Sequence, residues 1–186
     1  MADLKNGKYG VLEVNQLAAR YTAQIEATCK LNATDFATTP AENGMLLVVD
    51  KAAGEIKKAT NPQTQRVLLH YSAEKIYDAY TPGLNNFAVQ ADAFGVFPRL
   101  FELNLGDVFT TNTVEDGVGA NGVLVANLVG RNLATDKVFA IASITGNIQL
   151  VKEAGIGTAP IVLQAIKYTT VPDGVTPGVK FTVIRA

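Results

Sequence analysis

Apolar and polar residues alternate most clearly near the middle of the chain. Between Val96 and Val114, Phe97, Phe101, Leu103 and Leu105 share one parity, broken at Arg99, while Glu102 and Asn104 fall on the other. A period of two marks a half-buried strand, because successive side chains of a strand point to opposite faces. Gly106-Asp107 follows, a pair suited to a two-residue turn. Val108 to Val114 is rich in Thr and β-branched residues, which fit a pleated surface. The pattern predicts two strands about a turn, with Phe97, Phe101, Leu103, Leu105 and Val108 in the core.

Residues 1–14 are polar and punctuated by Gly7 and Gly10, and they read as an N-terminal arm. The segment 15–186 reads as one folded domain that does not need the arm. Asn15 is placed to cap a short helix, since Leu17, Ala18, Tyr21 and Ile25 have helical spacing, and a helical turn is expected near 15–20. Strict alternation from Tyr21 to Leu31 then predicts a strand, with Cys29 on its apolar parity. Met45 to Asp50 is a nearly continuous apolar run, the pattern of a strand covered on both faces. Lys51 to Gly54 turns the chain, and Glu55 to Lys58 pairs back. A strand is predicted over Arg66–Tyr71 and a short helix from Ser72 to Tyr80, ended by Pro82. Residues 82–95 are irregular but hold Phe87 and Phe94, which suits packing against the domain.

Glu115 to Gly122 reads as a mobile Gly-rich loop. Strands are expected at Val123–Val129, Lys137–Ser143, Asn147–Val151 and Pro160–Val171. Pro172-Asp173-Gly174 is a turn, since Pro fixes φ and Gly takes a left-handed position. Lys180 to Arg185 closes the chain with Phe181 and Val183 inward. Many short strands between Gly, Pro, Asn and Asp turns describe a mainly β, single-domain protein. A β-barrel or a sandwich is expected, with the N-terminal arm and at most one or two short helices.

Composition narrows the partners. Charged residues make up 18% of the 186, below the roughly 25% of an average soluble protein. Lys plus Arg is 16 and Asp plus Glu is 17, so no basic excess points to nucleic acid or to an anionic membrane face. No apolar run reaches the roughly 20 residues that cross a bilayer as a helix. One cysteine, Cys29, allows no disulfide within the chain. The N-terminal residues lack the apolar stretch of a secretory signal, so synthesis and retention in a cytoplasm are expected. A surface poor in charge and rich in Thr, Asn and Gly suits a protein that binds a large partner surface.

Candidate chemistry is sparse. Gly117-Val118-Gly119-Ala120-Asn121-Gly122 matches G-x-G-x-x-G, but a dinucleotide site needs a helix next, and a strand is predicted there. A plain loop is the reading. His70 is the only histidine and has no cysteine pair with which to share a metal. A nucleophilic site from Cys29, His70 and a carboxylate requires all three to meet in space, whereas a cysteine on an apolar parity acts as a small hydrophobe. Scattered Asp and Glu leave a carboxylate pair open, and Asn32-Ala33-Thr34 matches the glycosylation pattern by chance in a chain expected to stay in the cytoplasm. No catalytic residue, metal or cofactor is expected. Arg99 and Glu102 interrupt the central strand, either as charges that guard an exposed edge or as a contact with another subunit.

The run Tyr71-Ser72-Ala73-Glu74-Lys75-Ile76-Tyr77 leads to Pro82-Gly83-Leu84-Asn85-Asn86-Phe87, then to Pro98-Arg99-Leu100-Phe101-Glu102-Leu103-Asn104-Leu105-Gly106-Asp107-Val108-Phe109-Thr110-Thr111-Asn112. Over about residues 45–114 this resembles the capsid decoration, or head cement, proteins of tailed bacteriophages. The resemblance implies a non-enzymatic virion protein, made in the bacterial host, that binds the outside of an assembled shell and stabilises it. Its partners would be the major capsid protein lattice and neighbouring copies of itself. Lys5, Lys8 and Tyr9 of the arm, with Arg99 and Glu102, are the candidate interface residues. Tyr9 is the expected anchor, since aromatics contribute strongly at interfaces. Three other readings stay open: a tail-tube subunit, a ligand-binding β-barrel, and an enzyme built on His70, Cys29 or a carboxylate pair.

Overall fold

The computed structural model describes residues 4–5, 10–72, 88–89, 97–172 and 174–186. In chain order the strands begin with β1 (Leu12–Gln16), β2 (Ile25–Glu26), β3 (Lys30–Leu31), β4 (Ala41–Glu42) and β5 (Leu46–Asp50). They continue with β6 (Glu55–Lys57), β7 (Leu68–His70), β8 (Ala88–Val89), β9 (Leu100–Phe101) and β10 (Val108–Thr111). The last are β11 (Val114–Glu115), β12 (Val138–Ala142), β13 (Ile148–Val151), β14 (Val162–Thr170) and β15 (Pro177–Arg185). Helical structure among the described residues is one turn of α-helix, α1 (Ala19–Thr22), and two short 3-10 turns. The expected mainly β fold is what forms.

Seven strands build the larger sheet, in the order β1-β10-β15-β14-β12-β13-β11, and six build a second, in the order β2-β9-β7-β5-β6-β3. Each order has two free ends, so the described residues close no barrel. The sheets meet on one core. Leu12, Phe109, Ile148, Leu163, Phe181 and Val183 enter it from the larger sheet, and Leu46, Leu69 and Phe101 from the smaller. Leu47, Ile56 and Leu100 point to the opposite face of the smaller sheet, where Cys29, Phe36 and Met45 cover them. Leu46 and Leu47 therefore serve two different cores, which is why this strand carries no polar alternation. Phe139, Ile141 and Val151 form a third cluster, on the outer face of the larger sheet, with Ala159 and Val162. The longest pairing, β14 with β15, sets Ala165 opposite Phe181 and Leu163 opposite Val183. Gly174 N–H donates to the Val171 carbonyl at 2.9 Å and closes the expected turn between them.

The central stretch is corrected. Phe101 and Leu103 are buried as expected, but Phe97 is 51% and Leu105 is 73% exposed, and Val108 is only half-buried. Leu100 and Phe109 are sealed instead. The strand β9 is two residues long and covered on both faces, so consecutive side chains are buried and the period of two stops with the strand. Gly106-Asp107 does turn the chain, with Asp107 N–H donating to the Asn104 carbonyl at 3.0 Å. It leads from one sheet to the other, because β9 and β10 belong to different sheets. The Asp107 carboxylate, 2% exposed, holds this passage. Its Oδ1 accepts the Ala18 N–H at 2.8 Å and its Oδ2 accepts the Asn104 N–H at 2.8 Å.

Other expectations shift with tertiary context. The start of α1 is held by Asp107, and Asn15 instead accepts the Thr110 hydroxyl. The strand expected over Tyr21–Leu31 is divided into α1, β2 and β3, with Tyr21 88% exposed. The strand expected over Val123–Val129 is a 3-10 turn, Val125–Leu128, whose first N–H is accepted by Asp116 Oδ1 at 2.8 Å. The described part of 1–14 is built into the fold rather than forming an arm. Leu4 is 5% exposed within the main core and donates its N–H to the Val114 carbonyl, and β1 starts at Leu12 against β10. The short helix expected at Ser72–Tyr80 and nearly all of 82–95 lie outside the described residues.

Candidate functional site

Of the five interface candidates, only Arg99 and Glu102 are placed at the surface. Lys5 is 9% exposed, and its Nζ donates to Glu42 Oε2 at 2.5 Å, so its charge is spent inside the fold. Lys8 and Tyr9 lie outside the described residues. The strand that Arg99 and Glu102 flank, β9, is not a sheet edge, since β2 pairs on one side of it and β7 on the other. The edge-guarding reading of these charges is thereby removed. Arg99 is exposed at its side chain, while its backbone is held by both the Ser72 hydroxyl and the Tyr71 N–H.

Glu102 is ion-paired with Arg66, a residue that sequence reasoning did not single out. This pair stands between two open surface grooves and lines both of them. One groove, about 510 Å³, has Val67, Leu103, Leu105 and Ile161 along its wall. The other, about 400 Å³, is lined by Ile25, Val49 and Leu68 with the charged Glu26 and Lys51. The Thr28 hydroxyl and N–H, assisted by Lys51, hold the Glu26 carboxyl below the usual carboxylate range. The surface thus alternates apolar floor with paired charge, and Leu105 and Ile25 stand exposed on it. Its trace in sequence is Glu102, a charge within an apolar run; Leu105 and Ile25 fit the apolar parity of their segments, and only the structure shows them uncovered.

His70 and Cys29 do not converge on a cleft. His70 is fully buried: its Nδ1 lies 2.7 Å from the Glu42 carbonyl and its Nε2 lies 3.0 Å from Ser72 Oγ. A carbonyl only accepts, so Nδ1 carries the proton and Nε2 accepts the Ser72 hydroxyl. Ser72 Oγ in turn accepts the Arg99 N–H at 2.9 Å. Burial pushes the imidazole pKa down to about 4. Asn43 completes the seam, its Oδ1 accepting the Ser72 N–H and its Nδ2 donating to the Ser72 carbonyl. Thr113 Oγ1 donates to the Asn43 carbonyl at 2.6 Å. Gly44 turns here with φ +88, and a Cβ on it would stand 2.2 Å from Thr111 Oγ1, so only glycine fits. Cys29 is buried among apolar side chains on the far face of the smaller sheet.

The G-x-G-x-x-G run is a tight loop, not a nucleotide cradle. Gly117 N–H donates to the Val123 carbonyl at 2.8 Å, and a Cβ on Gly117 would lie 2.0 Å from the Leu150 carbonyl oxygen. The two ends of the loop are packed backbone to backbone, which accounts for glycine at its first and last positions. Among the described residues, no group of three or more His, Cys, Asp or Glu is gathered to hold a metal. Comparison with protein-family models, with curated proteins and with solved structures finds no match for this chain.

Proposed function

We propose that this protein is a non-enzymatic structural protein of a tailed-phage virion, which seats on the outside of an assembled capsid shell and reinforces it. The observation that carries the reading is the surface around Arg66 and Glu102. Two open grooves flank one ion pair, with apolar side chains in the floor and Leu105 73% exposed beside it. Such a surface is shaped for another protein: apolar anchors at the centre and paired charges that fix the register. Its shape does not suit a small molecule, which needs enclosure on most sides. The interior between the sheets is filled by side chains, which weighs against a ligand-binding barrel. The sealed, hydrogen-bonded His70 weighs against a reaction built on that imidazole.

Mixing the purified protein with empty phage shells and imaging by electron microscopy tests the reading. Added density on the outer surface is expected, and Leu105→Asp should remove it while the thermal midpoint stays within a few degrees. Rings or rods formed by the protein alone would instead make it a tail-tube subunit. Shells that stay bare with the wild-type protein would end the decoration reading.

A further inference from the structure

One buried polar group away from the Arg66–Glu102 surface is left incomplete. Glu115 ends β11 at the rim of the larger sheet and is 4% exposed, and Asn147, 9% exposed, immediately precedes β13. Parallel pairing of these strands sets Val114 opposite Ile148 and so brings the two side chains together. Glu115 Oε2 accepts the Thr145 hydroxyl at 2.8 Å and Asn147 Nδ2 at 2.9 Å. The remaining oxygens, Glu115 Oε1 and Asn147 Oδ1, have no hydrogen-bond partner. No described lysine or arginine forms an ion pair with Glu115.

Both orphan atoms are acceptors, so they cannot satisfy each other. Turning the Asn147 amide over would only aim its oxygen at the carboxylate. A carboxylate taken out of water without an opposite charge is costly, and here it also lacks a donor for one oxygen. A water molecule donating to the Glu115 oxygen would leave the charge unbalanced. A metal cation meets both needs.

We propose that Glu115 and Asn147 hold a hard, oxygen-preferring metal cation, with Glu115 Oε1 and Asn147 Oδ1 as its protein ligands. One carboxylate and one neutral oxygen make a weak site, with a dissociation constant on the order of 1 mM. Binding fastens β11, an edge strand of two residues, to β13 and to the turn at 143–147. The proposal stands independently of what the protein coats.

The test is thermal unfolding of the full chain, stripped with chelator and held in choline chloride, with added calcium, magnesium, sodium or potassium chloride. At least one of these cations should raise the midpoint saturably, by about 3–6 °C at ten times its dissociation constant. Which salt acts identifies the ion. Glu115→Gln should unfold at a higher temperature than the stripped wild type, because it removes the unbalanced charge, and should lose the response. Asn147→Asp adds a second carboxylate and should enlarge the response. A wild type indifferent to all four salts overturns the proposal, as does an equal response in Glu115→Gln. If Glu115→Gln does not fold, an unchanged response in Asn147→Asp overturns it.

Discussion

Acidification should destabilise this protein in part through His70. His70 titrates near 6.5 in an unfolded chain but at about 4 in the fold, because burial disfavours the imidazolium. The unfolded chain therefore binds the proton first as pH falls. Stability from this group is fully present above about 6.5, declines as pH falls, and is exhausted below about 4. The interval at about 1.4 kcal/mol per pH unit is worth about 3 kcal/mol, of which roughly 2 is lost by pH 4.5. Marginal stabilities run to about 5–15 kcal/mol, so the loss is large enough to measure.

The structure shows what protonation breaks. A charged ring would donate from Nε2 to Ser72 Oγ, which already accepts the Arg99 N–H, and the Ser72 hydroxyl would lose its acceptor. Urea unfolding at pH 7, 6, 5 and 4.5 gives the profile. Carboxylates also titrate over part of this range, so the comparison is with His70→Asn, which keeps a donor toward the Glu42 carbonyl. The variant should be less stable at pH 7 and should show the shallower loss from 6.5 to 4.5. Parallel profiles, or a His70 proton resonance titrating near 6.5 in the folded protein, would refute the reasoning.

Asp107→Asn should cost about 1–3 kcal/mol in urea unfolding, since one of the two backbone N–H groups held by this buried carboxylate loses its acceptor; an unchanged midpoint would mean water replaces the carboxylate there. Leu4→Ala should cost about 2–4 kcal/mol, as expected for a core side chain and not for a free arm. A chain beginning at Leu12 should likewise melt well below the full protein, and equal melting temperatures would restore the arm. Phe101→Ala, which empties a site in the main core beside Tyr71, should cost about 3–5 kcal/mol, and a loss under about 1 kcal/mol would place that ring elsewhere.

What was legible in the sequence follows the range of the forces involved. Alternation, turn residues and unbroken apolar runs act between near neighbours. They identified β5 with its return strand β6, and the hairpin of β14 and β15 around its Pro-Asp-Gly turn. They also fixed the mainly β class and the inward Phe181 and Val183. Near Val123–Val129 local propensity favoured a strand, but a single carboxylate, Asp116, tied down the first N–H of a 3-10 turn instead. For the first residues, polar composition hid Leu4 and Leu12, two buried leucines whose partners lie about a hundred residues away.

The candidate surface was half visible. Glu102 stood out as a charge within an apolar run, but its partner Arg66 comes from another strand region and is joined to it only by the sheet. Glu115 and Asn147 carry no signal at all in sequence, because their pairing depends on the parallel register of β11 on β13. By itself the chain determined its class and its local hairpins, since those rest on contacts a few residues apart. Which face of each strand is buried, which charges pair and where a polar atom is left without a partner were decided by tertiary structure. Those outcomes depend on long-range strand order and register, and a shift of one residue in register turns every side chain of a strand to the opposite face.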